Sequence, residues 1–184
     1  MNDRFVLLKI NSEYENIILD VFEGLCGSRI VNEKIDDYNV IYHNYNNESD
    51  IINLIKSLES DLDTKILCYV SYVGNSDELK KELMIVKSLL KNIVIGYYNF
   101  KSLLLDLNPT SNRDEILDFI LKDTGITKEF ILEFAYSNLN ASKAASSLYM
   151  HRNTVIYKLD KLMSLKGFDL KSFIDMHILY SLSK

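Results

Sequence analysis

Cysteine is scarce in this sequence: Cys26 and Cys68 are the only two among 184 residues. Two thiols cannot build a disulfide scaffold or a four-thiolate metal site, and their apolar neighbours mark them as buried free thiols. Proline occurs once, at Pro109, and no apolar run approaches the roughly 18 residues that a membrane span needs. The opening Met1-Asn-Asp-Arg-Phe5 is not a basic leader followed by an apolar core, so a cytoplasmic protein without a membrane partner is expected. Repeats and low-complexity segments are also missing. His43, His151 and His177 fall on separate predicted elements, which leaves no His/Cys or His/Asp spacing for a metal or a triad. Gly74, alone between a strand and a helix, is too little for a phosphate-binding loop and reads as a simple β–α turn. No metal, cofactor or catalytic residue is expected.

Positive charge is in short supply as well. The net charge of −5, taken whole, argues against a nucleic-acid binder. The average hides an asymmetry. Residues 139–166 hold Lys143, Arg152, Lys158, Lys161 and Lys166 against Asp160 alone, a local +4; residues 167–184 sum to zero, leaving −9 for residues 1–138. An acidic body with a basic patch near one end fits a DNA reader attached to something else, and equally fits a solvated helix face.

What is present divides the chain in two. Phe5–Ile10 is a short apolar run of strand length. Residues 13–25 place Tyr14, Ile17, Ile18, Val21, Phe22 and Leu25 at helical spacing, with Cys26-Gly27 as the stop. Asn39–His43 is a β-branched and aromatic strand that could pair with Ser28–Val31 through a loop at 32–37. A helix over 49–60 follows. Lys65–Val70 is too continuous to be half-exposed and should be the central strand. Asn75 and Glu78 are spaced as a capping box for a helix through Leu90. Ile93–Tyr98 is the last strand. The predicted order is β-α-β-β-α-β-α-β, one sheet with helices on one face, and Tyr42, Tyr69, Tyr72, Tyr97 and Tyr98 are read as lining strand faces. Phe100–Leu107 reads as a short helix, and Asn108–Arg113 is the one linker signal. Beyond it everything is helical: Asn112 with Glu115 opens a helix to about Lys122, Gly125 breaks it, and Thr127 caps another through Asn138. A last helix is predicted from Asp169.

Function is best argued from Asn140–Leu159. Asn140 caps a short helix, Ala141–Leu148, whose Ala144, Ala145 and Leu148 allow a second helix to cross closely. That second helix, about 152–165, turns Val155, Leu159 and Leu162 inward. Two such helices around a tight turn are the layout of a helix-turn-helix, although a plain antiparallel docking pair has the same spacing. On the DNA reading, His151, Arg152 and Asn153 reach base edges, because Arg pairs bidentately with guanine and Asn with adenine. Ser142, Lys143, Thr154, Lys158 and Lys161 are placed for phosphates, and Tyr157 shares the open side. Tyr149 occupies the turn position where many such motifs have glycine, so the turn must avoid the left-handed region or tolerate strain.

The stretch Ala144-Ala145-x-x-Leu148-x-Met150-His151-Arg152-Asn153-Thr154-Val155-x-Tyr157-Lys158-Leu159, with Gly167-Phe-Asp-Leu170 downstream, resembles the C-terminal helix-turn-helix of the PucR-type transcriptional regulators, which include sugar-diacid regulators of the CdaR type. The family opens its recognition helix on His-Arg-Asn-Thr, followed by an apolar residue, Tyr, a basic residue and Leu; its usual Arg is Lys158 here. The resemblance covers about residues 127–184. It implies kinship with the Fis-like helix-turn-helix group, whose members bind DNA as dimers. In that family the preceding region is often a degenerate relative of the diguanylate cyclase (GGDEF) domain, and the element order of residues 1–98 resembles it. Cyclase chemistry would need a glycine-rich acidic hairpin turn and a carboxylate just after the first strand. The hairpin here reads Asn32-Glu-Lys-Ile-Asp-Asp-Tyr38, and Lys9-Ile-Asn-Ser12 holds no carboxylate. Asp36 and Asp37 are read as a solvated turn rather than a metal pair, and no enzyme activity is expected.

The expected architecture is therefore α+β: a degenerate nucleotide-cyclase-like α/β sandwich over residues 1–108 and an all-α, Fis-like helix-turn-helix domain over 109–184. The expected function is sequence-specific binding of double-stranded DNA as a homodimer, in a transcription regulator with an unidentified small-molecule effector. The alternative is a protein-interaction or small-molecule-sensing module whose helical domain no longer binds DNA.

Overall fold

The computed structural model describes residues 4–27, 30–45, 47–72 and 74–184. The chain forms two compact units, Met1–Leu103 and Leu104–Lys184. The division falls within a helix, a few residues ahead of the Asn108–Arg113 turn segment.

In the first unit the elements are β1 (Arg4–Lys9), α1 (Glu15–Cys26), β2 (Val31–Ile35), β3 (Tyr38–His43), α2 (Glu48–Asp61), β4 (Leu67–Val70), α3 (Ser76–Leu90) and β5 (Gly96–Tyr98), in the predicted order. They form one five-stranded sheet ordered β2-β3-β1-β4-β5. The Lys65–Val70 segment supplies β4, an interior strand buried throughout, which pairs antiparallel with β1, the middle strand, and parallel with β5. Both strands are apolar on two faces, and both faces are covered, which corrects the expectation of helices on one side. Val6, Leu8, Ile41, Cys68 and Val70 pack against Ile18 and Phe22 of α1 and Ile51, Ile55 and Leu58 of α2. The opposite face carries Tyr69 and Tyr38. The Tyr69 hydroxyl donates to Oε1 of Glu82 in α3 at 2.5 Å, and the Tyr38 hydroxyl to the Leu90 carbonyl at 3.3 Å. An unbroken apolar strand needs cover on both sides, so a third helix had to lie there.

The β2–β3 hairpin also differs from expectation. Pairing runs from Val31↔Tyr42 to Ile35↔Tyr38, so the loop is only Asp36-Asp37, with Asp36 at φ +55°. The strand begins where it was expected to end, and Ser28 and Arg29 lie outside the described residues. Four of the five β2 residues are exposed, which removes the apolar signal that would have marked it. β5 is cut to three residues, because Val94 and Ile95 point to solvent. The capping box forms as predicted: Asn75 Oδ1 accepts the N–H groups of Asp77 and Glu78 at 3.1 Å each, and Glu78 Oε2 accepts the Asn75 N–H at 3.4 Å.

Helix α4 (Phe100–Leu107) leads into the second unit, which contains α5 (Arg113–Leu121), α6 (Lys128–Tyr136), α7 (Ala141–Ser147), α8 (Arg152–Lys166) and α9 (Phe173–Leu182). Its core includes Ile116, Ile120, Phe130, Phe134, Val155, Leu162, Phe168 and Leu179, each at most 3% exposed. Full burial of side chains of this size contributes about 1.5–3 kcal/mol apiece. Thr127 caps α6 as predicted, its hydroxyl accepting the Phe130 N–H at 3.3 Å. Asn112 precedes α5 but does not cap it through its side chain, because its backbone is left-handed at φ +59°. The last helix starts at Phe173, not Asp169. Asp169 instead accepts the Lys171 N–H at 2.9 Å, and its own N–H goes to Asp175 at 2.7 Å, a side-chain-held turn that competes with helix. Among the described residues no helix is long and apolar enough to cross a membrane.

Candidate nucleic-acid interface

Helices α7 and α8 build the site. Asn140 Oδ1 accepts the Ser142 and Lys143 N–H groups at 3.0 and 3.1 Å, which fixes the start of α7 and leaves the side chains of Ser142 and Lys143 in solvent. Ala144 is fully buried and Ala145 nearly so, and their small size lets α8 cross close by. The end of α7 is a Schellman closure: the Tyr149 N–H bonds the Ser146 carbonyl at 3.3 Å, and the Met150 N–H bonds the Ala145 carbonyl at 2.9 Å. Tyr149 takes the left-handed position at φ +52° with its side chain 98% exposed, so the turn adopts the strained alternative.

His151 is exposed at the start of α8. It is the N-cap of α8, its Nδ1 accepting the Asn153 N–H at 3.2 Å, which turns the ring toward the helix start. Along α8, Val155, Leu159 and Leu162 are buried, as predicted. Arg152, Asn153, Thr154 and Tyr157 are exposed, whereas Lys158 and Lys161 are half-buried. No acidic residue lies in the first turn of α8, which leaves the positive end of its dipole uncompensated. The structure thus gathers Arg152, Asn153, Thr154, Tyr157 and Lys161 on one exposed helix, with Ser142 and Lys143 on the first turn of its partner. The Lys158 ammonium donates to the carbonyl of Gly125 in the turn between α5 and α6, a contact that spacing within the motif could not reveal.

A second feature was invisible in the sequence. Between α6 and α9 lies an apolar groove of about 530 Å³ whose lining includes Tyr136, Leu139, Phe173, Met176, His177 and Tyr180. Tyr136 and Tyr180 meet edge to face at 6.2 Å, and Phe173 and His177 stack at 6.1 Å. Phe173 is 82% exposed.

The other constellations resolve into structure. Asp36 and Asp37 are ion-paired separately, to Lys87 at 2.5 Å and Lys9 at 3.5 Å, and no group of His, Cys, Asp or Glu among the described residues could hold a metal. Gly74 abuts Glu78 of the capping box. His43 is buried and accepts the Tyr45 N–H at Nδ1; burial, and then the Arg4 charge, lower its pKa to about 4. Burial raises both cysteine thiols, that of fully buried Cys68 most.

A capped short helix, a tight turn and a second helix with a polar outer face define a helix-turn-helix protein. Residues 129–181 fit the PucR C-terminal helix-turn-helix domain, so the second unit carries a domain of that type. Among solved structures the chain is similar to a Regulator of Polyketide Synthase Expression from Bifidobacterium adolescentis, over 98% of this chain and 78% of that one, with a TM-score of 0.51 at 14% identity. That likeness is one of fold. No curated protein matches.

Proposed function

We propose that the protein is a transcription regulator that binds double-stranded DNA sequence-specifically as a homodimer, with α8 in the major groove. The observation that carries this reading is the exposed opening of α8 in a PucR-type domain: the side chains of Arg152 and Asn153 are exposed, and they project from a helix start without acidic side chains. These two residues would read base edges. Ser142, Lys143, Thr154, Tyr157 and Lys161 would hold phosphates, and His151 would fix the helix end that presents the readers. A domain over about residues 1–108, built on the sheet unit, would be cyclase-like without cyclase activity, since its hairpin turn lacks glycine and Lys9-Ile-Asn-Ser12 after the first strand holds no carboxylate.

The test is selection of bound fragments from random duplex DNA, followed by titration of the selected site. Arg152→Ala should cost about 1–3 kcal/mol and relax preference at one base pair. Two half-sites about one helical turn apart would report the dimer. Recovery of no preferred sequence would sink the reading.

A further inference from the structure

Among the cations on the open side of the helix-turn-helix, Lys143, Arg152, Lys158 and Lys161, Lys158 differs in its surroundings. The side-chain charges of Lys143, Arg152 and Lys161 make no ion pair or hydrogen bond with other described residues. Lys158 is half-buried beside the inward row of Val155, Leu159 and Leu162, and its ammonium donates to the Gly125 carbonyl, 33 residues earlier. The receiving turn is held by a buried threonine. Thr124 is 1% exposed; its hydroxyl donates to the Leu121 carbonyl at 2.7 Å and accepts the Ile126 N–H at 3.1 Å. Gly125 sits at φ +73°, and a Cβ there would stand 3.1 Å from the Lys158 nitrogen.

A helix resting on three aliphatic side chains can roll slightly about its axis, because apolar contact has no direction. A hydrogen bond from a charged donor on the flank does have direction and limits that roll. Bidentate base reading by Arg152 and Asn153 depends on it. We propose that Lys158 is a positioning residue: it sets the roll of the recognition helix against the α5–α6 turn, and its charge does not neutralise a DNA phosphate. This inference rests on the DNA-binding reading above.

The test compares the full chain with Lys158→Gln, Lys158→Arg and Lys161→Gln on the selected duplex, between about 50 and about 200 mM salt. Lys161→Gln, the loss of a phosphate contact, should lower the slope of log affinity against log salt by about 0.9. Lys158→Gln should leave the slope unchanged and lower affinity about tenfold at every salt, the loss of well-aligned base contacts, with Lys158→Arg restoring it. A slope that falls in Lys158→Gln as it does in Lys161→Gln overturns the proposal. Melting temperatures of Lys158→Gln and Lys158→Arg give a second readout: Lys158→Gln should lower the midpoint and Lys158→Arg restore it, and a midpoint unchanged in Lys158→Gln also overturns the proposal. If the unaltered chain binds no DNA, the regulator reading fails, and the melting comparison alone decides whether the lysine is bound to the turn.

Discussion

Tyr149 holds a backbone conformation that a Cβ disfavours, and its ring is almost wholly in water. With the ring in water the side chain gains little packing to offset this, so the side chain is a local cost to the fold. Tyr149→Gly should raise stability by about 0.5–1 kcal/mol, whereas Tyr149→Ala, which keeps the Cβ, should not; urea unfolding of the three proteins checks this. At this scale the sequence was legible wherever the physics is local. Asn75, Thr127 and Asn140 are caps because an oxygen two or three residues from a free N–H needs no tertiary information. Asn112 shows the limit: the same side chain fails as a cap once the backbone enters the left-handed region. Lys158 shows the other limit, since its partner lies in a different turn and only the folded unit brings them together.

Between elements, the crossing of α7 and α8 depends on what is missing from one surface. Ala144 is 0% exposed and occupies the contact where a longer side chain would push the helices apart. Ala144→Leu should destabilise the helical unit by about 1–3 kcal/mol through overpacking, measured as the shift of its thermal transition. Helical periodicity revealed the inward rows of α7 and α8 because those faces alternate with polar ones. It misplaced α9 because Asp169 and Asp175 hold a turn that has the composition of a helix start. It also lost β2, a strand with almost no buried face, and so misjudged the hairpin loop. Buried strands carried the opposite difficulty: Lys65–Val70 and Phe5–Ile10 were equally apolar, and composition could not say which lay in the middle.

At the scale of the whole molecule, charge and acid response divide along the chain. Residues 1–138 carry −9 and would repel phosphate, so on the proposed reading affinity for DNA would come from the basic patch of 139–166 and should fall steeply with salt. The sheet unit also holds a built-in weakness to acid. His43 keeps its neutral form when folded, with a pKa of about 4 against an ordinary 6.5. Its contribution is complete above about pH 6.5 and is lost as pH falls toward 4, because the unfolded chain takes up the proton first. The loss should be on the order of 2 kcal/mol, and it should flatten in His43→Gln when denaturant unfolding is followed across that window. The two borders of the sheet carry a different consequence. On one side β2 is exposed and charged, with Lys34 paired to Glu15 at 2.7 Å; on the other β5 is three residues long and begins at Gly96. Short or charged borders make poor templates for fibril growth. How concentrated this protein can be kept is therefore set by its helices and its net charge, not by strands recruiting strands.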